Sequence, residues 1–209
     1  MLRYEVGHTD GMRDGANVLV LLHGRGADRY DLLGLHTRFP DWVMVAPEAP
    51  FPAAPWGYGP GWAWYRFLGH DRPDEATFSE SLDRLDEFLK GLPALLGITP
   101  GALALGGFSQ GGTLSMGYAL DNPGAVTRIV NLSGFLASHP RVRATAENAL
   151  TTRFFWGHGR QDPNIPFELA LEGRARLRTA EADLTTHDYQ IGHWIDAQEL
   201  EDVRAWLLT

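Results

Sequence analysis

The stretch Ala102-Leu103-Ala104-Leu105-Gly106-Gly107-Phe108-Ser109-Gln110-Gly111-Gly112-Thr113-Leu114-Ser115-Met116-Gly117-Tyr118-Ala119-Leu120 decides the architecture of the chain. Its first four residues form an apolar run short enough for a buried strand, and Leu114, Met116, Tyr118 and Leu120 follow in a helix-like pattern. The turn between them is expected to be so tight that a Cβ at Gly107 or Gly111 would strike a neighbouring strand or helix. Ser109 then stands at the tip with its hydroxyl exposed. The helix starting after it aims free N–H groups and its positive dipole end at the same point. A bare G-x-S-x-G arises by chance in a Gly-rich chain; its place at a strand-to-helix junction makes Ser109 a candidate nucleophile.

Outward from this turn, other apolar runs also end in Gly-bearing polar tips. Val18–Leu22 is a continuous apolar run suited to a strand covered on both faces. It ends at His23-Gly24-Arg25-Gly26-Ala27-Asp28, where two glycines around Arg25 permit a bent backbone with N–H groups aimed into a site. A plain strand-ending turn is the other reading of His23-Gly24. Asp28 is expected to cap a helix through Leu32, Leu33 and Leu35. Residues 2–6 predict an edge strand and residues 42–47 a further buried one. Phe78, Leu82, Leu85 and Leu89 predict an amphipathic helix over residues 73–90, which Pro93 should end or kink. Strands are expected at 126–132, 153–156 and 184–191, and helices at 167–177 and 197–207.

This alternation predicts one domain, residues 1–209, built as a three-layer α/β sandwich on a mostly parallel sheet flanked by helices. Ligands of such sheets bind at the carboxyl ends of strands. His23-Gly24-Arg25, Ser109, Asp162 and His193 are all placed there. A serine hydroxyl needs a base beside it, and that base needs a group to fix its tautomer; Ser109, Asp162 and His193 supply these in chain order. Asp162 also reads as a turn aspartate before Pro163. Metal ligation by His158 with Asp162 lacks a second ligand pair of fitting spacing, so neither metal nor cofactor is expected. Of the eight histidines, His8, His36, His70, His139 and His187 are expected to be structural, whereas His193 follows Gly192 at a strand end.

Residues 48–69 form a Pro-, Gly- and Trp-rich stretch expected to be a long loop over the site. Trp56, Tyr58, Trp62, Trp64, Tyr65 and Phe67 read either as caps on the core or, together, as the wall of an apolar acyl pocket. The candidate substrate-binding residues are His23, Trp62, Trp64, Tyr65 and Trp194.

Composition narrows the function classes. With 18 Lys and Arg against 26 Asp and Glu, the formal net charge is −8 and only one residue is Lys, which argues against nucleic acid as a partner. The arginines from Arg174 to Arg178 read as a solvated helix face. There is no cysteine, hence no disulfide or thiolate site, which suits a reducing compartment. The N-terminus lacks an apolar signal core, and no stretch approaches the roughly 18 apolar residues of a membrane span. A cytoplasmic protein without stable membrane insertion is expected, with a homodimer possible through the aromatic loop or the last helix.

Four motifs together carry a resemblance: Leu21-Leu22-His23-Gly24-Arg25-Gly26-Ala27-Asp28 with Asp31-Leu32-Leu33; Gly107-Phe108-Ser109-Gln110-Gly111-Gly112; Gly157-His158-Gly159 with Asp162 and Pro166; and Gly192-His193. From about residue 18 onward the chain resembles the phospholipase/carboxylesterase family of α/β-hydrolases, which includes acyl-protein thioesterases and small bacterial carboxylesterases. The resemblance implies Ser109 as nucleophile, His193 as general base and then acid, Asp162 as orienting carboxylate, and an oxyanion hole from the backbone N–H groups of Arg25 and Gln110. Arg25 stands where relatives often carry an apolar residue, and the Trp-rich segment departs from the family's loop, so substrate preference is not carried over. The expected activity is hydrolysis of small-molecule esters or thioesters of small to medium acyl chains through an acyl-enzyme. A lysophospholipase or depalmitoylating thioesterase is the alternative, and a catalytically silent binding protein is a third reading.

Overall fold

Val18, Val20 and Leu22 point into one apolar cluster and Leu19 and Leu21 into another, so a single five-residue strand already divides the molecule into layers. The computed structural model describes residues 1–7 and 10–209; His8 lies outside them. In chain order the elements are β1 (Tyr4–Val6), β2 (Val18–Leu22), β3 (Val43–Pro47), β4 (Phe51–Pro52), β5 (Trp62–Ala63), α1 (Glu75–Leu96), β6 (Leu103–Phe108), α2 (Gln110–Asp121), β7 (Arg128–Leu132), α3 (Ala146–Ala149), β8 (Arg153–Gly159), α4 (Phe167–Thr179), β9 (Asp183–Tyr189) and α5 (Ala197–Leu207).

Seven strands form one sheet in the order β1-β3-β2-β6-β7-β8-β9. Only the edge pair β1 and β3 is antiparallel; the other pairs are parallel. The apolar stripes of α1, α2 and α4 cover one face, and α5 with a 3-10 turn at Leu33–Arg38 covers the other. Parallel strands put every carboxyl end on one edge, so the tips of β2, β6, β8 and β9 are brought together.

Several local expectations change. Helix α1 starts at the Asp74 cap, whose carboxylate accepts the Thr77 N–H at 3.0 Å, but it runs past Pro93 to a left-handed Gly97. Pro93 lies in the last turn, and its carbonyl still accepts the Gly97 and Ile98 N–H groups. Asp28 caps no helix: it holds the Tyr30 N–H in a turn, and the 3-10 segment begins after Leu32. Residues 48–69 are not structureless, since β4 and β5 pair antiparallel within them.

Arg174 is not solvated. It is buried, with its guanidinium 2.5 Å from Asp188 and bonded to the carbonyls of Trp156 and His187. Four of the histidines expected to be structural make contacts away from the site. His36 bonds the Leu33 carbonyl, His70 lies beside Asp71, His139 packs on Phe78 and His187 faces Asp202. Among the described residues no helix is long and apolar enough to cross a membrane.

Candidate active site

The turn after β6 is built by steric exclusion. A Cβ on Gly107 would strike the Leu22 carbonyl and Gly111, and one on Gly111 would strike the Leu22 and His23 carbonyls. Strand β2 and helix α2 can therefore close onto the turn. Ser109 is forced to φ 56° and ψ −115°, a strained conformation that stands its side chain at the helix start.

Its Oγ lies 3.0 Å from His193 Nε2, and His193 Nδ1 lies 2.6 Å from Asp162 Oδ2. A carboxylate at Nδ1 fixes the proton there, so Nε2 is left as the acceptor for the serine hydroxyl. Asp162 is held in turn by the N–H groups of Asn164 and Ile165, each 2.8 Å from Oδ1. Burial pushes the Asp162 carboxyl up, but the His193 bond and these two N–H groups outweigh it and hold the acid below its usual range. His158 lies behind the acid, 3.8 Å away, with its own Nε2 engaged by the Ile165 carbonyl at 2.9 Å; burial depresses its pKa, so it stays neutral. Among the described residues no three His, Cys, Asp or Glu side chains converge as metal ligands.

The loop after β2 is held as firmly. His23 Nδ1 donates to the Gly24 carbonyl at 2.7 Å, its Nε2 accepts the Ala49 N–H at 3.1 Å, and the Trp64 indole donates to the His23 carbonyl at 2.9 Å. Burial lowers the His23 pKa to about 4, so the ring is a neutral strut. Gly26 (φ 82°) backs onto the Tyr58 carbonyl, and paired bonds, Gly26 N–H to Trp62 O and Trp62 N–H to Ala27 O, sew this loop to the aromatic segment. Gln110 completes the frame with its side chain: it accepts the Trp64 N–H at 3.1 Å and donates to the Tyr65 carbonyl at 2.9 Å. As the first residue of α2, its own N–H has no intrahelical acceptor.

These parts enclose a cavity of about 260 Å³ with Ser109 and His193 in its wall. Arg25, Tyr65 and Gln110 line it, but His23, Trp62, Trp64 and Trp194 do not. His23 and Trp64 are sealed behind the wall by the bonds just given. Trp62 faces an outer cleft with Arg3 stacked 4.6 Å from its ring, and Trp194 is 55% exposed with its ring folded against Gly192. Gly24, Ala27 and Asp31 add to the wall from the loop after β2, and the rest comes from Phe67, Phe108, Phe135, Asn164 and Ile165. Apart from Phe67, these were not singled out as pocket residues in the sequence. Phe135 carried one usable signal, as the first large apolar residue beyond the carboxyl end of β7.

A hydroxyl, imidazole and carboxylate in this order can move a proton off the serine, and N–H groups at a helix start can receive negative charge beside it. The phospholipase/carboxylesterase family model matches residues 9–209. The chain is 27% identical over 219 residues to acyl-protein thioesterase 1 of Cryptococcus neoformans var. neoformans, covering 91% of this chain and 90% of that one. It is also 27% identical over 207 residues to lysophospholipase-like protein 1 of Mus musculus, with 91% and 85% covered. The crystal structure of a carboxylesterase from Mesorhizobium loti shares the fold, with a TM-score of 0.83 over 98% of this chain and 93% of that one at 22% identity. A family match over nearly the whole length, on this sheet and around this serine, shows that the protein belongs to the phospholipase/carboxylesterase family of α/β-hydrolases and is a hydrolytic enzyme.

Proposed function

We propose that the protein hydrolyses carboxylic esters or thioesters of small to medium acyl chains, with Ser109 as nucleophile, His193 as base and acid, and Asp162 as the group that orients His193. The observation that carries this reading is the continuous path from Ser109 Oγ through His193 to Asp162, 3.0 and 2.6 Å, opening on a cavity of about 260 Å³. Ser109 Oγ bonds to the substrate carbonyl carbon as its proton passes to His193 Nε2. The backbone N–H groups of Arg25 and Gln110 receive the oxyanion. Collapse breaks the bond to the alcohol or thiol, which leaves with the proton from His193. Water then attacks the acyl-enzyme, gives a proton to His193, and the acid departs as Ser109 recovers its hydrogen. Ser109→Ala should reduce turnover of p-nitrophenyl butyrate by roughly 10³-fold or more while melting as the unmodified protein does; a variant as active as the parent overturns the assignment.

A longer acyl group, as for a lysophospholipase or an acyl-protein thioesterase, is the second reading. It is favoured by a groove of about 400 Å³ that shares Phe67 and Asn164 with the cavity wall and is lined besides by His70, Pro166, Glu168, Leu169 and Glu172. A series of p-nitrophenyl esters from acetyl to palmitoyl separates the two, with activity rising to the long end supporting the second.

A further inference from the structure

Among the described residues, the cavity beside Ser109 is lined by one permanent cation, Arg25, and one carboxylate, Asp31. Much of the remaining wall is aromatic, with Phe67, Phe108 and Phe135. Arg25 is exposed, and its guanidinium lies over the Tyr58 ring, 4.6 Å from the centroid. Tyr58 is tied to the cavity wall, because its hydroxyl accepts the Phe67 N–H at 2.9 Å. The guanidinium is thereby held at the rim, between the loop after β2 and the aromatic segment, by a contact that leaves its charge unanswered.

Among the described residues this guanidinium forms no ion pair and no hydrogen bond. Arg3, Arg29, Arg141, Arg153, Arg160 and Arg174 each meet a carboxylate. Arg25 does not, although the chain carries a net charge of −8 and Asp28 and Asp31 follow closely. Asp28 is turned to the Tyr30 N–H. Asp31 is held above its ordinary range by burial and by Asp28, with no relief from Arg25, so the two charges of the wall do not neutralise each other. The backbone N–H of Arg25 is the oxyanion donor proposed above, which sets its guanidinium one arginine side chain from the ester carbonyl. A planar, permanently charged fork at that range matches a carboxylate on the substrate, and the aromatic walls beside it weaken solvent screening.

We propose that Arg25 selects esters carrying a carboxylate a few bonds from the scissile carbonyl. This rests on the ester-hydrolase reading above. The carboxylate can belong to the acyl or the alcohol half, and two near-isosteric pairs separate these sources. p-Nitrophenyl hydrogen adipate and p-nitrophenyl adipamate set carboxylate against carboxamide on the acyl side, and 4-carboxyphenyl butyrate and 4-carbamoylphenyl butyrate do so on the alcohol side. Comparing each kcat/KM ratio between the unmodified protein and Arg25→Gln cancels intrinsic reactivity and any shared effect on the oxyanion donor.

In at least one pair, Arg25→Gln should lower the carboxylate-to-carboxamide ratio roughly three- to tenfold, the effect of one partly solvated ion pair. In the unmodified protein that ratio should fall at least about twofold as NaCl rises from about 20 mM to about 0.5 M, and in the variant it should stay flat. Ratios that the substitution leaves unchanged within about 1.5-fold in both pairs overturn the proposal. Ratios in the unmodified protein that salt leaves unchanged do so as well, which decides the matter even if Arg25→Gln is inactive toward all four esters. Inactivity of the unmodified protein toward all four overturns the ester-hydrolase reading and this proposal with it; activity with unchanged ratios overturns this proposal alone.

Discussion

Asp162 accepts the His193 Nδ1 proton at 2.6 Å with one carboxylate oxygen while backbone N–H groups pin the other, so the imidazole is aimed by a group that cannot itself turn. Asp162→Asn keeps the size but can offer His193 an N–H where it needs an acceptor. The expected result is a fall in kcat of roughly 10³- to 10⁴-fold with the fold retained, measured on a p-nitrophenyl ester alongside a melting curve. A loss below about tenfold would show that tautomer control is unimportant here.

Gly26 and Gly15 share φ 82°, but a Cβ on Gly26 would enter the Tyr58 carbonyl whereas one on Gly15 meets nothing within 4 Å. Gly15→Ala should cost about 1 kcal/mol of backbone strain, and Gly26→Ala about 2–4 kcal/mol. Only the second should also depress kcat, because it shifts the loop carrying the Arg25 N–H proposed above to receive the oxyanion. Urea melts and steady-state rates on the two variants check both points.

Glu199 is fully buried in the first turn of α5, and burial, reinforced by Asp196 and Asp202, pushes its carboxyl up to about 8. The folded state therefore holds a proton between pH 4.5 and about 8 that the unfolded chain releases. Its contribution is complete below the unfolded pKa, shrinks as pH rises and is gone above the folded one, a swing on the order of a few kcal/mol. Glu199→Gln should thus gain melting temperature relative to its parent from pH 5 to pH 9. Parallel pH profiles of the two proteins would contradict this.

Phe135 is buried with its ring 5.8 Å from Phe67, and together they bound the cavity. Phe135→Ala should cost about 3 kcal/mol and move the preferred p-nitrophenyl ester toward longer acyl chains. An unchanged chain-length profile would place the acyl group elsewhere.

Where a local rule was steric, the sequence was readable. Gly107 and Gly111 flank Ser109 because nothing larger fits against the Leu22 carbonyl, and the unbroken apolar run of β2 has one solution in a covered parallel sheet. Ser109, Asp162 and His193 could be placed together because parallel strands align their ends. The aromatic segment was opaque for the opposite reason. Outside regular structure no period tells which rings face inward, so Trp64 behind the wall and Tyr65 in it looked alike. Arg174 was misread because charge alone predicts exposure, and only the fold shows Asp188 and two carbonyls waiting for it. Pro93 misplaced a helix end because a proline one turn from the terminus costs a single bond.

The paired backbone bonds between Gly26, Ala27 and Trp62, with the Gln110 side chain gripping residues 64 and 65, carry a lesson for engineering. Segment 58–65 cannot be exchanged as an independent cassette. A donor loop transplanted from a relative must bring matching residues at 26, 27 and 110, or the graft will unfasten the chemistry it was meant to redirect.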